Sequence, residues 1–197
     1  GDIKYVNVNN DDQLNDINDA DKTIIGDPNP KFIYGFSNNL SYKGLTLSMM
    51  FTGVYGNEIV NGNLLQEEDT SPANPASNIN NIRSDAFYKA WTPENQDTRY
   101  PRLRKTNNSG DFTDRIVEDG SYLRLSNLTI SYNISLKDKW IRNIGLNLTA
   151  RNLFVITKYS GWDPDVNSFS SGSQKIGVDW GSYPSAKSYL LGLNMTF

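Results

Sequence analysis

Residues 7 to 21 read Asn-Val-Asn-Asn-Asp-Asp-Gln-Leu-Asn-Asp-Ile-Asn-Asp-Ala-Asp, a run dense in side-chain oxygen. Asn7, Asn9, Asp11, Gln13 and Asn15 fall at positions 1, 3, 5, 7 and 9 of an EF-hand-type loop, and Leu14 supplies the apolar residue expected at position 8. Hard oxygen ligands at this spacing suit calcium. Two positions depart from the pattern. Asp12 stands where glycine makes the sharp turn, and Asn18 where a bidentate acid closes the loop, although Asp19 and Asp21 follow closely. The competing reading is a solvated acidic loop, because Asp and Asn favour turns without any metal.

Other chemistry is narrow. The chain has neither cysteine nor histidine, which removes disulfides, thiol and Ser-His-Asp catalysis and the usual zinc sites. Paired carboxylates for hydrolysis could come only from Glu118, Asp119, Asp163 and Asp165. These lie at a strand start and in a loop, where acids are common, so no enzyme is expected. Aromatic rings are the remaining candidates. Trp91 closes a stretch in which Ser77 could cap a short helix and Ile79, Ile82, Ala86, Phe87 and Ala90 keep helical spacing. Tyr159, Trp162, Trp180 and Tyr183 cluster in a second segment. Rings in such loops can stack on sugar faces or on apolar side chains of a ligand. They can equally pack loops together or form an interfacial girdle.

The elements that hold these segments are strands. Five stretches alternate apolar and polar residues: Lys31 to Lys43, Leu45 to Tyr55, Ser121 to Ile134, Ile144 to Ile156 and Ser188 to Phe197. In the last, Tyr189, Leu191, Leu193, Met195 and Phe197 share one face and Ser188, Gly192, Asn194 and Thr196 the other, with Leu190 the exception. A period of two places the sets on opposite sides of a sheet. About ten residues at roughly 3.3 Å each, tilted near 45°, cross about 25 Å, the height of an outer-membrane apolar band. Ordinary globular strands are nearer five or six residues. Gly44 and residues 135 to 143 make short connections, whereas residues 56 to 120 and 157 to 187 make long ones. Short turns on one side and long loops on the other fit a membrane barrel. A soluble β-sandwich explains the alternation equally well but the lengths and loop asymmetry less well. Five strands cannot close a barrel, so on the barrel reading the chain is part of a larger one. No apolar run reaches the length of a membrane helix. The formal charge of -3 gives no reason to expect a nucleic-acid partner. The sequence carries no signal peptide.

In order along the chain, the segments resemble the C-terminal part of the SusC/RagA family of TonB-linked outer-membrane transporters. The resemblance is carried by Gly1-Asp-Ile-Lys-Tyr5 with the Asp/Asn loop, Thr23-Ile-Ile-Gly-Asp-Pro-Asn-Pro-Lys-Phe-Ile-Tyr-Gly-Phe36 and Gly53-Val-Tyr-Gly-Asn-Glu58. It continues through Ala90-Trp-Thr-Pro-Glu-Asn95, Val117-Glu-Asp-Gly-Ser-Tyr-Leu-Arg-Leu125, Ala150-Arg-Asn-Leu-Phe154, Tyr159-Ser-Gly-Trp-Asp-Pro-Asp165 and the terminal strand. The family loop reads Asp-x-Asn-Gly-Asp-Gly, and Asn7, Asn10 and Asp12 depart from it.

The resemblance implies an all-β fold: about five C-terminal antiparallel strands of a large transmembrane barrel of roughly 22 strands with a plugged lumen. Residues 1–30 would be an extracellular Asp/Asn-rich loop, and residues 31–197 the barrel part, with plug and earlier strands outside this chain. Residues 1 to 30, 56 to 120 and 157 to 187 would be extracellular, and Gly44 and residues 135 to 143 periplasmic. Phe197 resembles the aromatic terminal signal for barrel assembly. The implied activity is import of oligosaccharides, glycans or peptides across the outer membrane of a Gram-negative cell. The implied partners are membrane lipid, the rest of the barrel and plug, TonB, and a SusD-like surface lipoprotein. Calcium in the N-terminal loop is the one cofactor suggested. The alternative is a soluble β-rich module binding carbohydrate or calcium.

Overall fold

The computed structural model describes residues 1–9, 18–68, 82–103, 112–136, 140–168 and 176–197. In chain order the elements are β1 (Phe32–Tyr42), β2 (Leu45–Tyr55), β3 (Glu58–Asn61), α1 (Asn63–Glu67), α2 (Ser84–Tyr88), β4 (Val117–Asp119), β5 (Tyr122–Ser135), β6 (Asn143–Thr157), β7 (Val178–Asp179) and β8 (Ser188–Thr196). They fall into two compact units. One holds Gly1–Gly26, Val60–Val117 and Val178–Gly181, and the other Asp27–Ile59, Glu118–Gly177 and Ser182–Phe197.

The second unit is built on an open five-stranded sheet in the order β1-β2-β5-β6-β8, every neighbouring pair antiparallel. All five expected strands are present, and the first two are joined by a two-residue turn. Lys43 and Gly44 both take positive φ, 44° and 83°, the mirror-image turn whose twist matches the strands it joins. Gly44 is required twice over, since a Cβ there would lie 2.6 Å from the carbonyl oxygen of Asn133.

The register carries the alternation from strand to strand. Leu40 pairs with Leu47, Leu47 with Ile130, Ile130 with Leu148 and Leu148 with Leu191. The row beside it on the same face is Tyr42, Leu45, Tyr132, Leu146 and Leu193, and all five of these side chains are exposed. Between these rows lies one of the opposite face: Ser41, Thr46, Ser131, Asn147 and Gly192. Hydroxyl pairs knit this second face, with Ser41 Oγ and Thr46 Oγ1 3.2 Å apart and Thr129 Oγ1 and Thr149 Oγ1 3.0 Å apart. Only two residues in the five strands carry a formal charge, Arg124 and Arg151. Both fall on the hydroxyl-rich face, by their pairing with Thr52 and Asn127.

A sheet in water buries its apolar face on a second layer. Here no second layer covers that face: Leu40, Leu45, Ile130, Leu148 and Leu191, one on each of the five strands, are all exposed, Leu191 on the edge strand β8 by 82%. Aromatic side chains mark both strand ends. Phe32, Tyr34, Tyr55 and Tyr189 stand at the end with the long connections, and Tyr42, Tyr132, Trp140 and Phe197 at the other. Phe32 and Tyr42 are separated by about 33 Å of strand, roughly 23 Å in height at a 45° tilt, which matches an apolar band flanked by aromatic girdles. Tyr34 lies flat over Gly53, whose added Cβ would come 2.3 Å from Cζ of that ring, and its hydroxyl donates to the Tyr122 carbonyl at 3.1 Å.

The pairing slips at one height. Ser126 is left out of the pairing on both sides of β5, and opposite it β6 holds two unpaired residues, Asn152 and Leu153, one more than β5. Asn152 takes φ 51°, a left-handed conformation that Asn tolerates. The slip keeps Leu123 and Leu125 on the apolar face, opposite Gly53 and Phe51.

In the first unit, β3 and β7 pair in parallel through Val60 with Val178 and Asn61 with Asp179. Gly62 N–H donates to the Asp179 carbonyl at 2.9 Å, and Asn63 Oδ1 accepts from Gly181 N–H at 2.7 Å. Leu64, Ala86, Ala90 and Ile116 are buried, with a largely buried ion pair between Arg115 and Glu68 at 2.8 Å. The expected helix is shorter than its apolar spacing suggests. α2 begins at Ser84 after Arg83, while Ser77 and Ile79 lie outside the described residues. The short helix α1 was not expected.

Candidate functional site

The oxygen-rich N-terminal loop is described at its two ends, and Asp11, Gln13 and Asn15 lie outside the described residues. Asp21 closes what is described. Its Oδ1 accepts from the N–H of Val8 at 2.9 Å and of Asn9 at 3.5 Å, and its Oδ2 from Asn18 N–H at 3.0 Å. The main-chain N–H of Asn18, with those of Val8 and Asn9, holds the Asp21 carboxyl below its ordinary pKa against a smaller opposing effect of burial. Asn18 completes a reciprocal cap by accepting from Ala20 N–H at 2.9 Å. Asp19 forms an exposed pair with Lys22 at 2.7 Å. Asn7 and Asn9 flank Val8 on the far side of this closure. Among the described residues no three acids converge on one point.

The aromatic candidates separate by what their rings lie on. Tyr159 is 5% exposed, and its ring covers Gly161, where a Cβ would sit 2.3 Å from Cε1. Trp180 lies over Gly62 and Trp91 over Gly1, each ring within 2.5 Å of where a Cβ would stand. These three therefore pack loops. Trp162 and Tyr183, 76% and 90% exposed, keep their faces open to a ligand. Phe197 is exposed beyond the end of β8.

Three of the four acids considered for hydrolysis have structural work. Glu118 accepts from the Ser160 N–H and hydroxyl, both at 2.7 Å. Asp119 accepts from Ser121 N–H at 2.9 Å. Asp163, only 3% exposed, receives the Arg124 guanidinium, the N–H of Asp165 at 3.0 Å and the N–H of Ser185 at 2.9 Å. Burial alone would raise its pKa, but the hydrogen bonds from Arg124, Asp165 and Ser185 outweigh that and leave the carboxyl below its ordinary value. One carboxylate thus draws together both ends of the β6–β8 connection and ties them to β5. Asn152 adds a second tie, its Nδ2 donating to the Ala186 carbonyl at 3.0 Å. Arg124 had no signal in the sequence, since its partner lies 39 residues away.

No family model matches the chain. Whole-length comparison does give relatives. TonB-dependent receptor P3 of Formosa agariphila is 37% identical over 189 residues, covering 92% of this chain and 18% of that protein. TonB-dependent receptor SusC of Bacteroides thetaiotaomicron is 25% identical over 185 residues, covering 92% and 16%. Among solved structures, the RagAB peptide importer in its closed-closed state superposes with a TM-score of 0.69 at 29% identity, over 88% of this chain and 18% of that one. The chain therefore spans less than a fifth of the length of the proteins it matches.

Proposed function

The chain belongs to the TonB-dependent receptors of SusC/RagA type, and from that membership we propose that the transporter it forms part of imports oligosaccharides, glycans or peptides together with a SusD-like surface lipoprotein. The chain supplies antiparallel strands of a barrel in the outer membrane of a Gram-negative cell. The observation that carries the reading is the bare apolar face with no charge on it, backed by a hydroxyl-rich face. Lipid covers the first and the lumen lies along the second. The end bearing the long connections would face outward, toward nutrient and lipoprotein, and Trp162 and Tyr183 are the rings placed to meet them. TonB would act through a plug elsewhere in the whole transporter. A soluble module would need a second layer over the same face.

The test is one of alternating access. Spin labels on Leu148→Cys and Leu191→Cys in the full transporter should be relaxed by oxygen and not by a water-soluble nickel chelate. Labels on Thr149→Cys and Gly192→Cys should show the reverse. Equal access of the nickel chelate to all four positions would overturn the membrane reading.

For the N-terminal loop we favour closure by Asp21 itself, with calcium as the second reading because its side-chain oxygens are spaced for it. Asp21→Asn should speed proteolysis within residues 7 to 22 to the same extent in calcium and in chelator. Protection of the unaltered loop that appears only with calcium would establish the cation instead.

A further inference from the structure

Two charges lie on the lumen face of the five strands, and among the described residues only one meets an acid. Arg124 has Asp163. Arg151 is exposed on β6, and the described residues give it no acidic partner. A guanidinium keeps its charge at any working pH and offers five donors in a fixed fork suited to a carboxylate. Its two cross-strand partners are neutral. Across β5 it pairs with Asn127, whose side-chain oxygen is buried without a hydrogen-bond partner, and across β8 with Ser188. Arg151 also stands next to Asn152 at the slip in pairing, opposite the unpaired Ser126. Such irregularities re-aim side chains and occur beside functional sites.

We propose that Arg151 is a carboxylate anchor on the lumen wall. This rests on the barrel reading above, because a filled lumen would strip water from the guanidinium and leave it costly unless an anion meets it. A carboxylate could come from an acidic side chain of the plug, or from the cargo, as a peptide C-terminus or a uronic acid. Both present the same planar pair of oxygens to the same fork.

The experiment uses the full transporter with its lipoprotein, comparing wild type, Arg151→Gln and Arg151→Lys. Folding is checked first by heat-modifiable migration and by the alternating spin-label pattern, which report on the barrel reading independently. If cargo supplies the carboxylate, wild type should prefer a free-acid peptide or uronate oligomer over its amide or neutral counterpart. Arg151→Gln should lose that preference by about tenfold or more, and Arg151→Lys should retain part of it. If the plug supplies it, cargo preference should not change. Hydrogen exchange within the cargo-free plug should instead rise in Arg151→Gln and fall back partly in Arg151→Lys. Unaltered cargo preference together with unaltered plug exchange, in a correctly folded Arg151→Gln barrel, would overturn the proposal.

Discussion

Arginine in place of Leu148 should destabilise the barrel by about 2–4 kcal/mol, the cost of a cation on the lipid face near the bilayer midplane. Leu148 sits midway along β6, between Ile130 and Leu191, on a face with no charged residue in any of the five strands. The control is its immediate neighbour. Thr149 points the other way, toward Thr129 and Leu190, so Thr149→Arg should fold with a small change. Denaturant unfolding from lipid vesicles measures both. Two equal losses would mean that the faces are not divided as described, and two negligible ones that no bilayer covers the sheet.

The second large effect concerns the tie between β5 and the β6–β8 connection. Removing Asp163 as Asp163→Ala strands the Arg124 guanidinium, largely buried, and should cost about 3–5 kcal/mol. It should also release the loop ends held through Asp165 and Ser185, visible as new proteolytic sites between residues 158 and 187. The pH dependence has a defined sign. The folded carboxyl lies below the value of about 3.9 typical of an unfolded chain. Its contribution is therefore complete above that unfolded value and is lost as pH falls through the lower folded one. Asp163→Asn should remove this segment of the stability profile while leaving the profile above it parallel to wild type. A wild-type profile flat through the acid range would contradict the role.

What could be read from sequence follows from the range of each interaction. Period-two alternation is local, so all five strands and their faces were legible, including Leu190 as the apolar residue out of step, which the register places opposite Thr149. The turn at Gly44 was equally local. Long-range pairings left no trace: the Arg124–Asp163 tie and the parallel contact of Val60 with Val178 each join residues remote in the chain. Side-chain exposure was no more accessible. Five aromatic residues looked alike as loop residues, but glycine at 161, 62 and 1 gives Tyr159, Trp180 and Trp91 a surface to lie on. Trp162 and Tyr183 have none among the described contacts.

The unpaired Ser126 has a consequence of another kind. Ahead of it the apolar residues are odd-numbered, Leu123 and Leu125; after it they are even, Leu128, Ile130 and Tyr132. Ser126 is thus a comma in a two-letter code. Pulling Ser126 into the ladder would change no residue, yet would exchange inside for outside over one end of β5, swinging Arg124 toward lipid and two leucines toward water. For a barrel wall, length at this position is information of the same rank as residue identity. Removing it would restore strict alternation with both ends of β5 on their present faces, so the extra residue is itself a frameshift written in three dimensions.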